Sequence, residues 1–222
     1  MVPERLIRLA KLAGPIKTGA DIACDHAYLS YYLLKHNQAN FMIATDIRAN
    51  PLENAKRTLK PFRDRSELRL GFGLQPLTPS EVDTIFISGL GAETIVEILQ
   101  EGMERFLNAT FVLQVNGNPS PLRAFLMSKS IFTEDIVKEN RHYYQIIVVK
   151  EGYKKGEQIW QGGVPILRIG SLYRSELGRE YLSKRLGDIE EALSGLLPDD
   201  PRGKDLRAER SLFQELVNTK ER

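Results

Sequence analysis

Apolar residues recur at helical spacing from the start of the chain, at Leu6, Leu9, Ala10 and Ala13, and Gly14-Pro15 closes that run. The pattern then alternates between short apolar runs and longer amphipathic ones. Ala20 to Cys24 predicts a strand and Tyr28 to Lys35 a helix. Phe41 to Thr45 is a second buried strand, ending at Asp46. Asn50 is a candidate N-cap, with Pro51 at the first helical position and Glu53 at the third, and that helix runs to about Leu59. Leu68 to Leu70 predicts a short strand before Gly71-Phe72-Gly73, and Val82 to Ser88 a strand rich in β-branched residues. Gly89-Leu90-Gly91 is expected to turn that strand into a helix over Glu93 to Leu99. Phe111 to Val115 is a further strand, followed by a turn over 116–119 and a helix from Leu122 to Met127. Ile131 to Lys138 and Tyr143 to Val149 predict two strands joined by Glu139-Asn140-Arg141.

Strands that alternate with helices build a parallel sheet through right-handed crossovers, and two closing strands with so short a link must pair antiparallel. The fold class expected is α/β: a Rossmann-like, mostly parallel seven-stranded sheet of the class I methyltransferase type, with a C-terminal helical hairpin. A dinucleotide-binding Rossmann domain is the nearest rival. It calls for G-x-G-x-x-G after the first strand, where this chain has Ala23-Cys24-Asp25-His26-Ala27. From Leu172 the period changes. Leu182, Leu186, Ile189, Leu193 and Leu196 form one a/d seam, residues 198–203 break it, and a second helix carries Leu206, Phe213 and Leu216. The division expected is a main domain over 1–170 and a helical hairpin over 171–222. The hairpin suits a monomer, with a dimerisation coil as the alternative.

Composition adds limits. A chain of 222 residues is long enough for one full α/β domain and a small appendage. A lone cysteine, Cys24, excludes an internal disulfide framework and fits a reducing, cytoplasmic setting. Arg5, Arg8 and Lys11 interrupt the first apolar run, which is therefore neither a signal peptide nor a membrane span, so no membrane partner is expected. Net charge is +2, but its distribution is uneven. From Asp46 to Arg69 there are seven basic and four acidic residues; beyond Gly170 there are ten basic and eleven acidic. Any nucleic-acid phosphates should therefore favour the first two-thirds of the chain, unless these charges only solvate helix faces.

In an open α/β sheet, ligands bind beyond the carboxyl ends of the strands where the winding reverses. The candidates are thus Asp21, Cys24, Asp25, His26, Tyr28 and Leu29 around the end of the first strand, and Asp46 with Ile47 after the second. Gly73 and Leu74 follow the third strand, Ser88, Gly89, Leu90 and Gly91 the fourth, and Gln114 and Asn116 the fifth. Asp46 is placed to accept hydrogen bonds from both ribose hydroxyls of an adenosine, a device NAD-binding domains share. Plainer roles stand beside these. Cys24 and Tyr28 suit core packing, Asp21 suits a bond to loop amides, and Gly89 and Gly91 suit a tight turn. Asp25 is a favoured type for capping the next helix. His26 has no ligand partner at helical spacing, so no metal site is expected.

The residues Asp21-Ile22-Ala23-Cys24-Asp25-His26-Ala27-Tyr28-Leu29 resemble the D-I-G-(S/T)-D-H-A-Y-L-P signature of the bacterial tRNA adenine-22 N1-methyltransferases. The resemblance continues through Ala44-Thr45-Asp46-Ile47, Gly73-Leu74, Ser88-Gly89-Leu90-Gly91, Leu113-Gln114-Val115-Asn116 and Tyr143-Tyr144-Gln145, over about residues 3 to 151. It implies S-adenosyl-L-methionine (SAM) as cofactor, tRNA as partner, and methyl transfer to an adenine N1. In that setting Asp25 would stabilise the charge developing on the base and Asn116 would hold its edge, while Asp25 and the remaining candidates other than Gln114 would bind cofactor. The alternatives are a methyltransferase of the same fold acting on another substrate, and a non-catalytic SAM- or RNA-binding relative. The chain departs from the family pattern at Ala23 (Gly), Ser30 (Pro), Phe72 (Asp or Asn), Ala92 (Gly) and Val115 (Pro).

Overall fold

The computed structural model describes residues 2–127, 132–150 and 168–218. The chain divides into two compact units, 1–157 and 158–222, whereas the sequence pattern places the change at 170.

The first unit opens with α1 (Glu4–Ala13), which buries Leu9 and Ala10. Its polar face is clasped by Arg5–Glu139 and Arg8–Asp135 ion pairs. Strand β1 (Ile16–Ile22) begins four residues earlier than the apolar run suggests and stops before Cys24. Lys17 and Gly19 hid its first half. The Asp83 carboxylate accepts the Lys17 and Thr18 amides at 2.9 and 3.0 Å, and Gly19 leaves room for the Met42 sulfur, which a Cβ would meet at 2.7 Å. There follow α2 (Tyr28–Lys35), β2 (Ala39–Asp46), α3 (Ala49–Thr58) and β3 (Ser66–Leu70). Helix α3 starts one residue before the expected cap: Arg48 holds the cap position, no side chain caps the helix, and Asn50 lies inside its first turn. The Arg48 amide donates to Asp46 Oδ1 at 3.0 Å instead.

Strand β4 (Thr84–Gly91) is longer than expected. Gly89-Leu90-Gly91 is not a turn; it continues the strand past a bulge between Ser88 and Leu90, and α4 (Ala92–Gly102) follows at once. Gly89 has φ +80°, a left-handed conformation that favours glycine. Then come β5 (Thr110–Asn116), α5 (Ser120–Met127), β6 (Phe132–Glu139) and β7 (His142–Val149). Asn140 and Arg141 join the last two strands with φ of 48° and 66°, the paired left-handed geometry of a tight hairpin. The expected first residue of β6, Ile131, lies outside the described residues.

The sheet has seven strands in the order β3-β2-β1-β4-β5-β7-β6. Strands β1 to β5 pair in parallel, and β7 runs antiparallel to both neighbours. The chain winds outward from β1 through β2 to β3, then crosses back to place β4 on the other side of β1, so the winding reverses between β1 and β4. The core is built on the sheet from Ile85, Phe86, Ile87, Phe111, Val112 and Leu113, with Leu33 and Leu34 of α2 among the fully buried residues. Arg123 of α5 is buried with Glu134 and donates to Gln145 Oε1 at 2.7 Å, which ties α5 to the closing hairpin.

The second unit contains α6 (Glu176–Ser194) and α7 (Lys204–Asn218). Ser175 caps α6 by accepting the Gly178 amide at 3.0 Å. A Cβ on Gly178 would stand 1.8 Å from the Leu172 carbonyl oxygen, so this turn admits only glycine. The helices pack as the antiparallel hairpin that their seam predicts. Leu182, Ile189 and Phe213 are fully buried, and Arg185 forms a two-point pair with Glu209 at 3.0 and 3.2 Å.

Candidate active site

A cavity of about 470 Å³ opens at the carboxyl ends of β1, β2, β4 and β5, where the winding reverses. That size suits a cofactor. It is lined by Asp21, Cys24, Asp25, His26, Tyr28, Leu29, Asp46, Ile47, Ser88, Gly89, Leu90 and Asn116, all candidates from the sequence. Gly73, Leu74 and Gly91 are not part of the lining. Leu74 is fully buried, and a Cβ on Gly73 would meet Ile98 at 3.1 Å, so both pack against α4. Phe72 is likewise absent from the wall. Four further lining residues are Arg5, Leu6, Ala23 and Arg48. Arg48 was within reach of sequence reasoning, being two residues past the strand-ending Asp46. Arg5 was not, because only tertiary packing brings α1 to this end of the sheet.

The loop from β1 to α2 has an unusual backbone. Ala23, Asp25 and Ala27 alternate in the left-handed region, at φ 55°, 49° and 53°. Each such non-glycine residue stores strain of roughly 1–3 kcal/mol, which persists only where surrounding structure enforces it. Here the Cys24 amide donates to the Thr45 carbonyl at 2.9 Å and the Ala27 amide to the Cys24 carbonyl at 2.7 Å. Ala27 itself occupies the cap position of α2, with no side-chain cap bond. Asp25 therefore does not cap that helix. Its side chain is 65% exposed at the cavity, 3.8 Å from His26 Nε2. His26 and Tyr28 stack nearly parallel, with ring centroids 5.4 Å apart, and Tyr28 is exposed.

Two carboxylates behind this loop differ in environment. Asp46 is buried, yet each of its oxygens takes only one backbone amide: Oδ1 from Arg48 at 3.0 Å and Oδ2 from Asp25 at 3.4 Å. Lone pairs remain for two hydroxyls. Asp21 lies deeper, and burial pushes its carboxyl up to about 7, despite a 2.8 Å hydrogen bond from the Ser30 hydroxyl. The family's proline would have no hydroxyl there, so Ser30 gives Asp21 a partner. Burial, reinforced by the charges of Asp21 and Asp46, pushes the Cys24 thiol well above its ordinary range. It remains a neutral thiol, unsuited to nucleophilic work.

On the far wall, two amide side chains grip the β4 bulge. Gln114 Oε1 accepts the Gly89 amide at 3.2 Å, and Gln114 Nε2 donates to the Val115 carbonyl at 2.8 Å and Asn116 Oδ1 at 3.0 Å. Asn116 Nδ2 donates to the Gly89 carbonyl at 2.7 Å. No cluster of three or more His, Cys, Asp or Glu placed to hold a metal occurs among the described residues, and none of their helices is long and apolar enough to cross a membrane.

Residues 2–147 match the model of a methyltransferase domain family. The chain is 31% identical over 153 residues to a Bacillus subtilis tRNA (adenine(22)-N(1))-methyltransferase, covering 65% of this chain and 64% of that one. It is 36% identical over 151 residues to a Mycoplasma pneumoniae protein named "Putative tRNA methyltransferase", covering 66% and 70%. The alignment thus spans a little under two-thirds of the Bacillus subtilis protein. Among solved structures, a Streptococcus pneumoniae protein described as "a putative tRNA (m1A22) methyltransferase", in complex with S-adenosyl-L-methionine, superposes with a TM-score of 0.83 at 25% identity, covering 98% of this chain and all of that one. The matched segment takes in the whole cavity wall, and the chain belongs to the methyltransferase-domain family, among the relatives of the bacterial tRNA (adenine-22-N1)-methyltransferases.

Proposed function

We propose that this chain is a SAM-dependent tRNA methyltransferase acting on N1 of an adenine. The observation that carries this reading is the meeting of Asp46, Asp25 and Asn116 in one cavity at the switch point. The donor set fits the cofactor. Asp46 has lone pairs free for both ribose hydroxyls. Ile47, 60% exposed at the cavity, offers an apolar surface to the adenine. Asp21 is a buried carboxylate whose ionisation a cationic group would favour, and the cofactor's ammonium is one.

When bound, SAM supplies a methyl group already activated on a sulfonium. The chain's own residues then hold and expose the target base. The exposed Tyr28, stacked on His26, offers a flat face to an unstacked base. Asp25 sets a carboxylate beside it, where positive charge develops on the ring as N1 gains its methyl. Asn116 engages the base edge. RNA phosphates fit a cationic stretch that begins at the cavity and runs along α3 and past its end. Arg48, 74% exposed at the helix cap, is followed by exposed Lys56 and Arg57 in the last turn of α3 and by exposed Lys60 in the 3-10 turn beyond it, and the last three form no ion pair among the described residues.

The test incubates purified protein with SAM and tRNA transcripts and maps modified nucleosides by digestion and mass spectrometry. N1-methyladenosine at one position is expected, and an Asp25→Asn variant should form it about tenfold more slowly, on the order of 1.4 kcal/mol in the barrier, with cofactor affinity kept. Absence of N1-methyladenosine on every tRNA, from protein that binds SAM, would overturn the reading in favour of a non-catalytic binder.

A further inference from the structure

We infer that Gln114 is a positioning residue that fixes which way the Asn116 amide faces, and that Asn116 so held selects adenine. The inference rests on the proposed activity and assigns a role to a residue that never touches the base. Gln114 is fully buried at the end of β5, and its amide cannot be turned over. One end meets the Gly89 N–H, which only donates, and the other meets the Val115 carbonyl, which only accepts. Reversing the amide would set N–H against N–H and oxygen against oxygen, leaving buried polar groups unpaired.

That polarity passes to Asn116. The second hydrogen on Gln114 Nε2 goes to Asn116 Oδ1, so Asn116 must direct its nitrogen to the Gly89 carbonyl, as it does at 2.7 Å. An asparagine amide has two N–H donors and two oxygen lone pairs. One of each is used here, and one of each remains on a residue that is exposed at the cavity. The edge of adenine away from N1 carries an amine donor and the N7 acceptor, while guanine presents two acceptors there. One free donor and one free acceptor complement adenine and oppose guanine. Contact on that edge also leaves the N1 lone pair unobstructed.

The test is a double-mutant cycle with Gln114→Glu and Asn116→Ala, measured as kcat and KM for tRNA, with cofactor affinity by calorimetry and folding by thermal melting. A buried glutamate keeps the acceptor for Gly89 but, once ionised, has no hydrogen for Val115 or Asn116. Single Gln114→Glu should lower kcat at least tenfold at pH 8.5, recover as pH falls and the carboxyl regains a proton, and change cofactor affinity less than twofold. In the Asn116→Ala background the same change should have almost no further effect. Losses that multiply, a kcat with no added pH dependence, or a defect seen only as a lower melting temperature would each overturn the inference while leaving the activity intact. Should Gln114→Glu not fold, Gln114→Met, which keeps the volume and removes the polarity, serves in the same cycle. Wild-type protein that methylates no RNA would remove the activity and the inference together, an outcome the wild-type arm identifies by itself.

Discussion

Replacing Asp21 with asparagine should make the protein more stable in alkali and worse at holding its cofactor. Asp21 is buried at the end of β1, and its carboxyl is raised from 3.8 to about 7. The folded chain thus keeps a proton there that the unfolded chain gives up near pH 4. Across that interval the folded state binds more protons, so the stability contributed by this group is fully present below about pH 4 and is lost as pH rises to and through 7. About three pKa units at 1.36 kcal/mol each place the loss on the order of 4 kcal/mol, an upper bound because buried groups relax. Asparagine keeps an oxygen for the Ser30 hydroxyl, which donates to Asp21 at 2.8 Å, and has nothing to ionise. The assay is urea unfolding of both proteins at pH 5.5 and 8.5, read as the difference between them so that other carboxylates cancel. Asp21→Asn should exceed wild type by about 2 kcal/mol at the lower pH, where about half of the loss has already occurred, and by up to about 4 kcal/mol at the higher. Cofactor affinity should fall, since a neutral amide cannot balance an ammonium. The same pH slope in both proteins would refute the burial argument.

Asp46→Ala should weaken binding of SAM or its demethylated product by roughly 1.5–3 kcal/mol, the range for hydrogen bonds to a charged group; unchanged affinity in calorimetry would remove the ribose from Asp46. Paired Lys56→Glu and Lys60→Glu changes should raise the KM for tRNA at least tenfold and flatten its salt dependence while sparing SAM binding. Removing residues 172 to 222 should leave cofactor affinity intact, because every residue of the cavity wall precedes them, and should weaken tRNA binding in a filter or gel-shift assay.

The strand–helix alternation, the switch point and most of the cavity wall follow from local patterns: apolar runs ending in Asp46, Ser88 or Asn116, and an a/d seam in the second unit. What escaped the sequence depends on distant partners. The first half of β1 carries Lys17 and Gly19 and makes sense only beside Asp83 and Met42. The bulge in β4 resembles a glycine turn until Gln114 and Asn116 are seen holding it within the sheet. Asn50 has the residue type of a cap, but the Asp46 carboxylate fixes the chain at Arg48 and the helix starts ahead of it. Arg5 joins the cavity through its pair with Glu139, more than a hundred residues away.

The three left-handed residues of the β1–α2 loop bear on the entropy of ligand capture. Where relatives of this family carry glycine, Ala23 holds φ at 55° with a side chain that narrows every alternative. A glycine loop samples many shapes when empty, and a ligand must arrest them, which weakens association. Here folding itself has already arrested the loop, with the strain borne by the surrounding sheet. The methyl group that Ala23 adds at the cavity wall thereby also preorganises it. Cofactor association should carry a less unfavourable entropy than in Ala23→Gly, even if the glycine variant gains enthalpy from closer contact.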